Sequence, residues 1–278
     1  MNERINVPPP ARVEISSMGR TLDIEYQWIS PERTDLPLII FLHEGLGSVS
    51  MWRDWPASAC AALGCRGLVY SRYGYGQSTP RPRDEARDVD YLHIQAHDAL
   101  PALLAALNLE DERPILFGHS DGGSIALLHA AYFPGRARAI AVAAPHIFVE
   151  DITLEGIRKA RDIYMSTDFP ERLARHHRDG ASVFDAWADI WLAPAFRSWN
   201  IEAFLDDIRC PVLAIQGVDD EYGSLEQIRG IARRVPGTRL LEIPDCGHSP
   251  QRDQPQAVID GLRGFLADIG ATSGPSTR

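Results

Sequence analysis

Residues 114–123 read P-I-L-F-G-H-S-D-G-G. An apolar run of strand length enters the pattern G-x-S-x-G, and a helical pattern, S-I-A-L-L-H-A-A-Y-F, leaves it. A strand that turns sharply into a helix holds the Ser120 hydroxyl at the top of a sheet and aims a helix N-terminus at the same spot. So tight a turn needs small residues, which Gly118 and Gly122 supply. The bare pattern occurs by chance, and the strand before it and the helix after it give it meaning. The plainer alternative is a strand-to-helix turn in which Ser120 is only an N-cap.

Outward from this turn, apolar runs of strand length recur at 38–42, 67–71, 139–143, 212–216 and 239–243. They are nearly continuous, as strands buried on both faces should be. Two earlier runs, 12–16 and 21–28, alternate like a solvent-facing antiparallel hairpin. Helical patterns fill the gaps at 51–63, 92–107, 122–132, 225–234 and 255–267. This rhythm predicts an α/β fold: a mostly parallel eight-stranded sheet flanked by helices. Residues 146–207 break it, with amphipathic helical segments and Trp187, Trp191 and Trp199 but no convincing strand. An insertion there sits at the carboxyl ends of the strands, where open α/β sheets bind ligands. The expected organisation is a core of 1–145 and 208–270, a helical cap of 146–207, and a disordered tail of 271–278.

Composition narrows the class. The 278 residues are 45% hydrophobic and 24% charged, enough for one large domain with a real core. The formal net charge of −10 argues against a nucleic-acid binder. No export signal and no membrane-spanning apolar run is legible. The four cysteines, Cys60, Cys65, Cys210 and Cys246, fit neither a zinc pattern nor a disulfide framework, so a cytoplasmic protein with reduced thiols is expected. His93 and His97 stand four apart on one helix face, without a third ligand, so no metal is expected.

A nucleophilic serine needs a base, and the base an orienting carboxylate. P-V-L-A-I-Q-G-V-D-D at 211–220 is an apolar strand ending in a loop with Asp219 and Asp220. L-L-E-I-P-D-C-G-H-S-P at 240–250 is a strand followed by a loop carrying His248. Each member follows a strand, so all three arrive at one edge of the sheet, in the order Ser, Asp, His.

On these residues the chain, from about Val13 to Ala267, resembles the serine-nucleophile, capped, esterase-like branch of the α/β-hydrolase superfamily. The resemblance implies Ser120 as nucleophile and His248 as base. It selects Asp220 over Asp219 as the acid, with Glu150 and Asp151 as outsiders from the preceding loop. It also implies an oxyanion hole built from backbone N–H groups. One is that of Asp121. The other comes from the loop F-L-H-E-G-L-G-S at 41–48, where relatives show H-G-x-G and this chain has Glu44. Leu46 is assigned, with Gly45 and Glu44 as alternatives. S-R-Y-G-Y-G-Q-S at 71–78 resembles the structural D-x-x-G-x-G-x-S loop of relatives, with the Asp replaced, and takes no catalytic role.

Glu44 and Asp121 side chains close to the site would favour a cationic substrate group; the plainer reading is that both turn away. Glu44, Gly45, His119, Trp187 and Trp191 are the expected substrate contacts, although His119 also reads as packing and the tryptophans as cap core. Arg172, Arg175, His176, His177 and Arg178 read as a solvated face, or as a patch for an anionic tail such as coenzyme A phosphates. Cys246, two residues before His248, reads as filler or as a point of thiol sensitivity. The expected activity is hydrolysis of a carboxylic ester or related acyl bond of a small molecule, without a cofactor. Thioester, enol-lactone and carbon–carbon hydrolysis of a ring-cleavage product share the same triad. A non-catalytic ligand-binding protein is a different class. Serine in place of aspartate at the elbow argues against dehalogenase or epoxide hydrolase chemistry. Oligomeric state is not legible.

Overall fold

A computed structural model describes residues 5–271. Its strands are β1 (Ala11–Ser17), β2 (Arg20–Ile29), β3 (Leu38–Leu42), β4 (Arg66–Tyr70), β5 (Ile115–His119), β6 (Ala139–Ala143), β7 (Val212–Gly217) and β8 (Arg239–Ile243). They form one sheet in the order β1-β2-β4-β3-β5-β6-β7-β8. The β1/β2 and β2/β4 pairs are antiparallel; the others are parallel. This is the eight-stranded, mostly parallel α/β sheet that the alternation of patterns predicts. β3 through β7 are buried on both faces. β8 departs from that expectation: as the edge strand it leaves Arg239 and Leu240 exposed.

Helices α1 (Trp55–Leu63), α2 (Tyr91–Ile94), α3 (Leu100–Ala106), α4 (Asp121–Tyr132), α9 (Glu226–Arg234), α10 (Pro250–Asp253) and α11 (Pro255–Asp268) flank the sheet, α5 to α8 being the inserted helices described below. The pattern at 92–107 is broken by a π turn over Gln95–Ala99. Pro101 has no N–H to donate to His97, so the ladder widens just before it. In α4 every residue from Asp121 to Ala131 is buried. Ile125, Leu127 and Leu128 are wholly sealed, each contributing about 1.5–3 kcal/mol of apolar burial. That packing fixes the helix that starts immediately after Ser120.

Between β6 and β7 lie α5 (Asp151–Ser166), α6 (Phe169–Ala174), α7 (Gly180–Leu192) and α8 (Glu202–Leu205), and an isolated bridge pairs Phe148, before α5, with Asn200, before α8. One expectation at the C-terminus is corrected. Ala271, read as the start of a disordered tail, is buried in the core. Gly270 turns the end of α11 with φ +61°, and the Ala271 N–H reaches the Leu266 carbonyl at 2.8 Å, a helix-ending motif that returns the chain to the core. The rest of that tail lies outside the described residues. No helix among the described residues is long and apolar enough to cross a membrane.

Candidate active site

Ser120 stands between the last residue of β5 and the first of α4, with φ +52° and ψ −119°. An L-residue held there stores on the order of 1–3 kcal/mol of backbone strain. Two glycines make the turn possible. A Cβ on Gly118 would lie 2.2 Å from the Gly122 carbonyl oxygen, and one on Gly122 would lie 2.1 Å from that of Leu42. The Ser120 N–H is tied to the Ala143 carbonyl at 2.9 Å.

His248 Nε2 lies 2.9 Å from Ser120 Oγ, and its Nδ1 lies 2.8 and 3.0 Å from the two carboxylate oxygens of Asp220. Asp220 also accepts from the Tyr222 N–H at 2.8 Å and Gln216 Nε2 at 3.1 Å. Its neighbour Asp219 is exposed. Glu150 is engaged elsewhere, accepting from the Ser224 N–H, the Ser224 hydroxyl and Gln227 Nε2; Asp151 pairs with Arg197. Burial by itself would lower the His248 pKa, but the charge and hydrogen bond of Asp220, helped by Glu221 and Glu44, raise it above the ordinary histidine value. Burial likewise opposes ionisation of Asp220, yet His248 and the Tyr222 N–H hold its carboxyl below the usual range.

The loop after β3 is oriented by its carbonyls. Glu44 C=O accepts from Arg72 Nη2 at 2.8 Å and His43 Nδ1 at 2.7 Å, Gly45 C=O from the Tyr75 hydroxyl at 3.0 Å, and Leu46 C=O from His177 Nε2 at 2.9 Å. A peptide plane carries its C=O and the next N–H on opposite sides. Anchoring the Glu44 and Gly45 carbonyls therefore turns the Gly45 and Leu46 N–H groups the other way. At the start of α4, the Asp121 N–H has no intrahelical acceptor.

These anchors were invisible in the sequence. Arg72 and Tyr75 lie in the run that was given no catalytic role. His177 sits in the basic run read as a solvated face, and that reading is corrected for it. It is buried, its Nδ1 accepting from the Gly76 N–H at 2.9 Å, and burial lowers its pKa to about 4. Arg172, Arg175 and Arg178 are exposed as expected. The carboxylate missing from the 71–78 loop is supplied by Glu25 on β2, which accepts from the Ser71 hydroxyl at 2.7 Å and the Gln77 N–H at 2.8 Å.

Above Ser120 opens a cavity of about 210 Å³. All five expected substrate contacts, Glu44, Gly45, His119, Trp187 and Trp191, line it. Gly45 is required here, since a Cβ would lie 2.3 Å from the Trp187 indole. The two readings of the acidic pair divide. Asp121 turns inward, its Oδ2 meeting Tyr91 Oη at 3.1 Å and Arg72 at 3.4 Å. Glu44 faces the cavity, with Oε2 3.8 Å from His119 Nδ1. Burial would raise the Glu44 carboxyl, but His119, with His43 adding, brings it down to about 2.

His119 donates through Nε2 to the His248 carbonyl at 2.7 Å, so it both packs and braces the His248 loop. His146, unremarked in the sequence, lines the cavity with its ring 5.8 Å from that of His248, and burial lowers its pKa to about 4. Cys246 is buried and its thiol is pushed up to about 11, which makes a reactive thiolate scarce. His93 Nδ1 is 2.8 Å from Tyr132 Oη, and among the described residues no group of three or more potential ligands could hold a metal ion.

A strained serine after a parallel strand, under a loop whose carbonyls are held away, is the architecture of the α/β hydrolases. The model of the alpha/beta hydrolase family matches residues 39–260, and the chain belongs to that family. It is 28% identical over 187 residues to the serine hydrolase BPHL of Homo sapiens, a match covering 66% of this chain and 62% of that protein's length. It is 23% identical to the 2-hydroxy-6-oxo-6-phenylhexa-2,4-dienoate hydrolase of Burkholderia cepacia, over 83% of this chain and 87% of the relative. Among solved structures, the enol-lactonase from Burkholderia xenovorans LB400 superposes with a TM-score of 0.70 at 20% identity, covering 93% of this chain and 100% of that one. Membership of that family is what marks the chain as an enzyme.

Proposed function

We propose that this enzyme is a serine hydrolase that cleaves a carboxylic ester or related acyl bond of a small molecule through an acyl-enzyme. The observation that carries the reading is the unbroken line Asp220–His248–Ser120 beneath the cavity. Ser120 Oγ attacks the acyl carbonyl as His248 Nε2 takes its proton. The carbonyl oxygen becomes an oxyanion, received by the N–H groups of Asp121 and Leu46. His248 passes the proton to the leaving oxygen, and the C–O bond breaks. Water then attacks the acyl-enzyme with His248 again as base, returning the proton to Ser120. Asp220 keeps Nδ1 protonated and stabilises the imidazolium. Residues 146–207 act as the cap, with Trp187 and Trp191 as its face toward the acyl group.

The cavity also bears on the substrate. Its apolar wall of Ile157, Phe169, Trp187 and Trp191 suits a short acyl chain. Glu44 and Glu221 place negative charge at the same cavity, facing one exposed cation, Arg252, which is engaged by Asp253. This disfavours a substrate carboxylate beside the scissile bond and favours a neutral or cationic group. A dienoate, as named for the Burkholderia cepacia relative, carries a carboxylate, though at the end of the chain away from its 6-oxo group; the acidic lining disfavours that charge anywhere in the cavity, so the ester reading is preferred to carbon–carbon cleavage.

The test is labelling by a fluorophosphonate probe together with a panel of p-nitrophenyl esters, acyl-coenzyme A thioesters, lactones and amino-acid esters, each run with wild type and Ser120→Ala. Labelling of Ser120, and turnover of neutral or cationic esters that S120A loses, supports the proposal. No labelling and no S120A-sensitive turnover would reject it in favour of ligand binding.

A further inference from the structure

His146 is a buried titratable group that the steps above leave unused. It follows β6, and its main chain is clamped to α4. Its carbonyl accepts from the Ser124 hydroxyl at 2.7 Å, and its N–H donates to the same oxygen at 3.2 Å. The ring packs against Trp191, with centroids 4.9 Å apart, and lies 5.8 Å from the ring of His248. Gly223 closes on it as well: a Cβ there would come 3.4 Å from Cε1. The ring is thus held in place against the cavity above Ser120, which it lines.

Its two nitrogens differ. Nδ1 is sealed from solvent and has no hydrogen-bond partner among the described residues. Nε2 has no partner among them either, yet it is not sealed, so it is the nitrogen that opens on the cavity. A sealed N–H with no acceptor is among the rarest arrangements in folded proteins, so the single proton of the neutral ring belongs on Nε2. Burial, with the charge of His248 adding, brings the pKa down to about 4. The ring is therefore neutral in the working range, and its Nε2–H is a donor without a charge. Glu44 and Glu221 line the same cavity and repel a carboxylate, which leaves an uncharged oxygen as the acceptor that fits.

We propose that His146 is a specificity-determining residue whose Nε2–H donates to an uncharged ether, hydroxyl or carbonyl oxygen in the acyl part of the substrate. The acyl side follows from Trp191, against which the ring packs and which faces the acyl group in the ester reading; the inference rests on that reading. An acyl chain with a methylene at that point leaves the N–H unmet once water is displaced, and this loss is what the enzyme selects against.

The experiment compares p-nitrophenyl methoxyacetate with p-nitrophenyl butyrate, and p-nitrophenyl 3-methoxypropanoate with p-nitrophenyl pentanoate. Within each pair one oxygen replaces one methylene. In at least one pair, the ratio of kcat/KM for the oxygen-bearing ester to that for its partner is expected to fall about five- to tenfold from wild type to His146→Phe, the worth of one neutral hydrogen bond. His146→Gln, whose amide reaches the Nε2 position, is expected to restore much of the ratio. His146→Asn, whose amide reaches only the Nδ1 position, is expected not to. Ratios that stay at the wild-type value for both pairs in H146F, or in H146N should H146F fail to fold, overturn the proposal. A second measurement needs no turnover. Ser120→Ala carrying nitrogen-15 histidine is titrated with methoxyacetone and with pentan-2-one, ketones that differ by the same replacement. The His146 Nε2 resonance is expected to show a bound proton and to move with methoxyacetone only. A proton on Nδ1, equal movement with both ketones, or none with either overturns the proposal. If wild type cleaves none of the four esters, it is the ester reading that fails, and the titration alone decides the contact.

Discussion

The Tyr75 hydroxyl donates to the carbonyl of Gly45 at 3.0 Å, and through that peptide plane it fixes the direction of the Leu46 N–H. Tyr75 is buried and its ring lies 4.8 Å from His43 and 4.6 Å from the Arg72 guanidinium. Tyr75→Phe keeps that packing and removes only the hydroxyl. Outright loss of one oxyanion donor costs about 10²–10³ in kcat; a donor left in place but free to tilt is expected to cost roughly tenfold. Because the donor acts chiefly in the transition state, kcat is expected to fall while KM stays nearly constant. Steady-state kinetics on a p-nitrophenyl ester reads the split, and a change confined to KM would contradict the positioning role.

Arg72 and Asp121 are a buried ion pair directly behind Ser120, with side chains 2% and 1% exposed. Asp121 Oδ2 meets Arg72 and Tyr91, while Oδ1 has no hydrogen-bond partner among the described residues. Removing the cation alone strands a carboxylate in the core, at a cost of about 3–5 kcal/mol. Arg72→Met is therefore expected to be strongly destabilised, and Arg72→Met combined with Asp121→Asn to recover much of the loss. Urea unfolding of wild type, both single variants and the double variant closes the cycle. Additive effects would mean that the two side chains do not depend on one another.

What the sequence reveals and what it hides follow from the range of the interactions. Ser120 was legible because its strand, turn and helix are contiguous in the chain. The Asp219–Asp220 pair and His248 were legible because each follows its own strand, so sheet order brings both loops to one edge; the choice of Asp220 within the pair came from the family resemblance and not from the strand. Tyr75, Arg72 and His177 were not, because their work is to hold carbonyls 28 to 131 residues away. No local pattern distinguishes such a side chain from a packed or solvated one. Glu25 shows the same limit: the 71–78 loop lacks its expected Asp, and the replacement comes from β2, 46 residues upstream of Ser71. The 146–207 stretch could be read as helical, but not which of its side chains point inward.

Glu44 makes substrate charge a measurable property of the cavity. With its carboxyl brought down to about 2, it is ionised throughout the working range. Glu44→Gln keeps the shape and removes the charge. The ratio of kcat/KM for an ester carrying a free carboxylate to that for its neutral counterpart is expected to rise about five- to tenfold in E44Q, the latter being about 1.4 kcal/mol. A cationic ester is expected to move in the opposite direction. The change should shrink in high salt if charge is its cause. A ratio that E44Q leaves unchanged would mean that Glu44 acts only through its backbone.

The pH profile tests the role of His248. Asp220 raises its pKa against the effect of burial, so the imidazole takes up its proton at a higher pH than an ordinary histidine, whose pKa is about 6.5. A base must be unprotonated to act, so activity is lost as pH falls through that raised value. The acid limb of kcat/KM is therefore expected above about pH 6.5. Asp220→Asn removes the largest influence holding the pKa up, so the limb is expected to move to lower pH while the plateau falls by roughly 10³–10⁴. E44Q removes a weaker contribution of the same sign and is expected to move the limb slightly in the same direction, with the plateau for a neutral ester nearly intact. A limb that stays in place in both variants would assign the titration to another group, His146 excepted, since burial has taken it down to about 4.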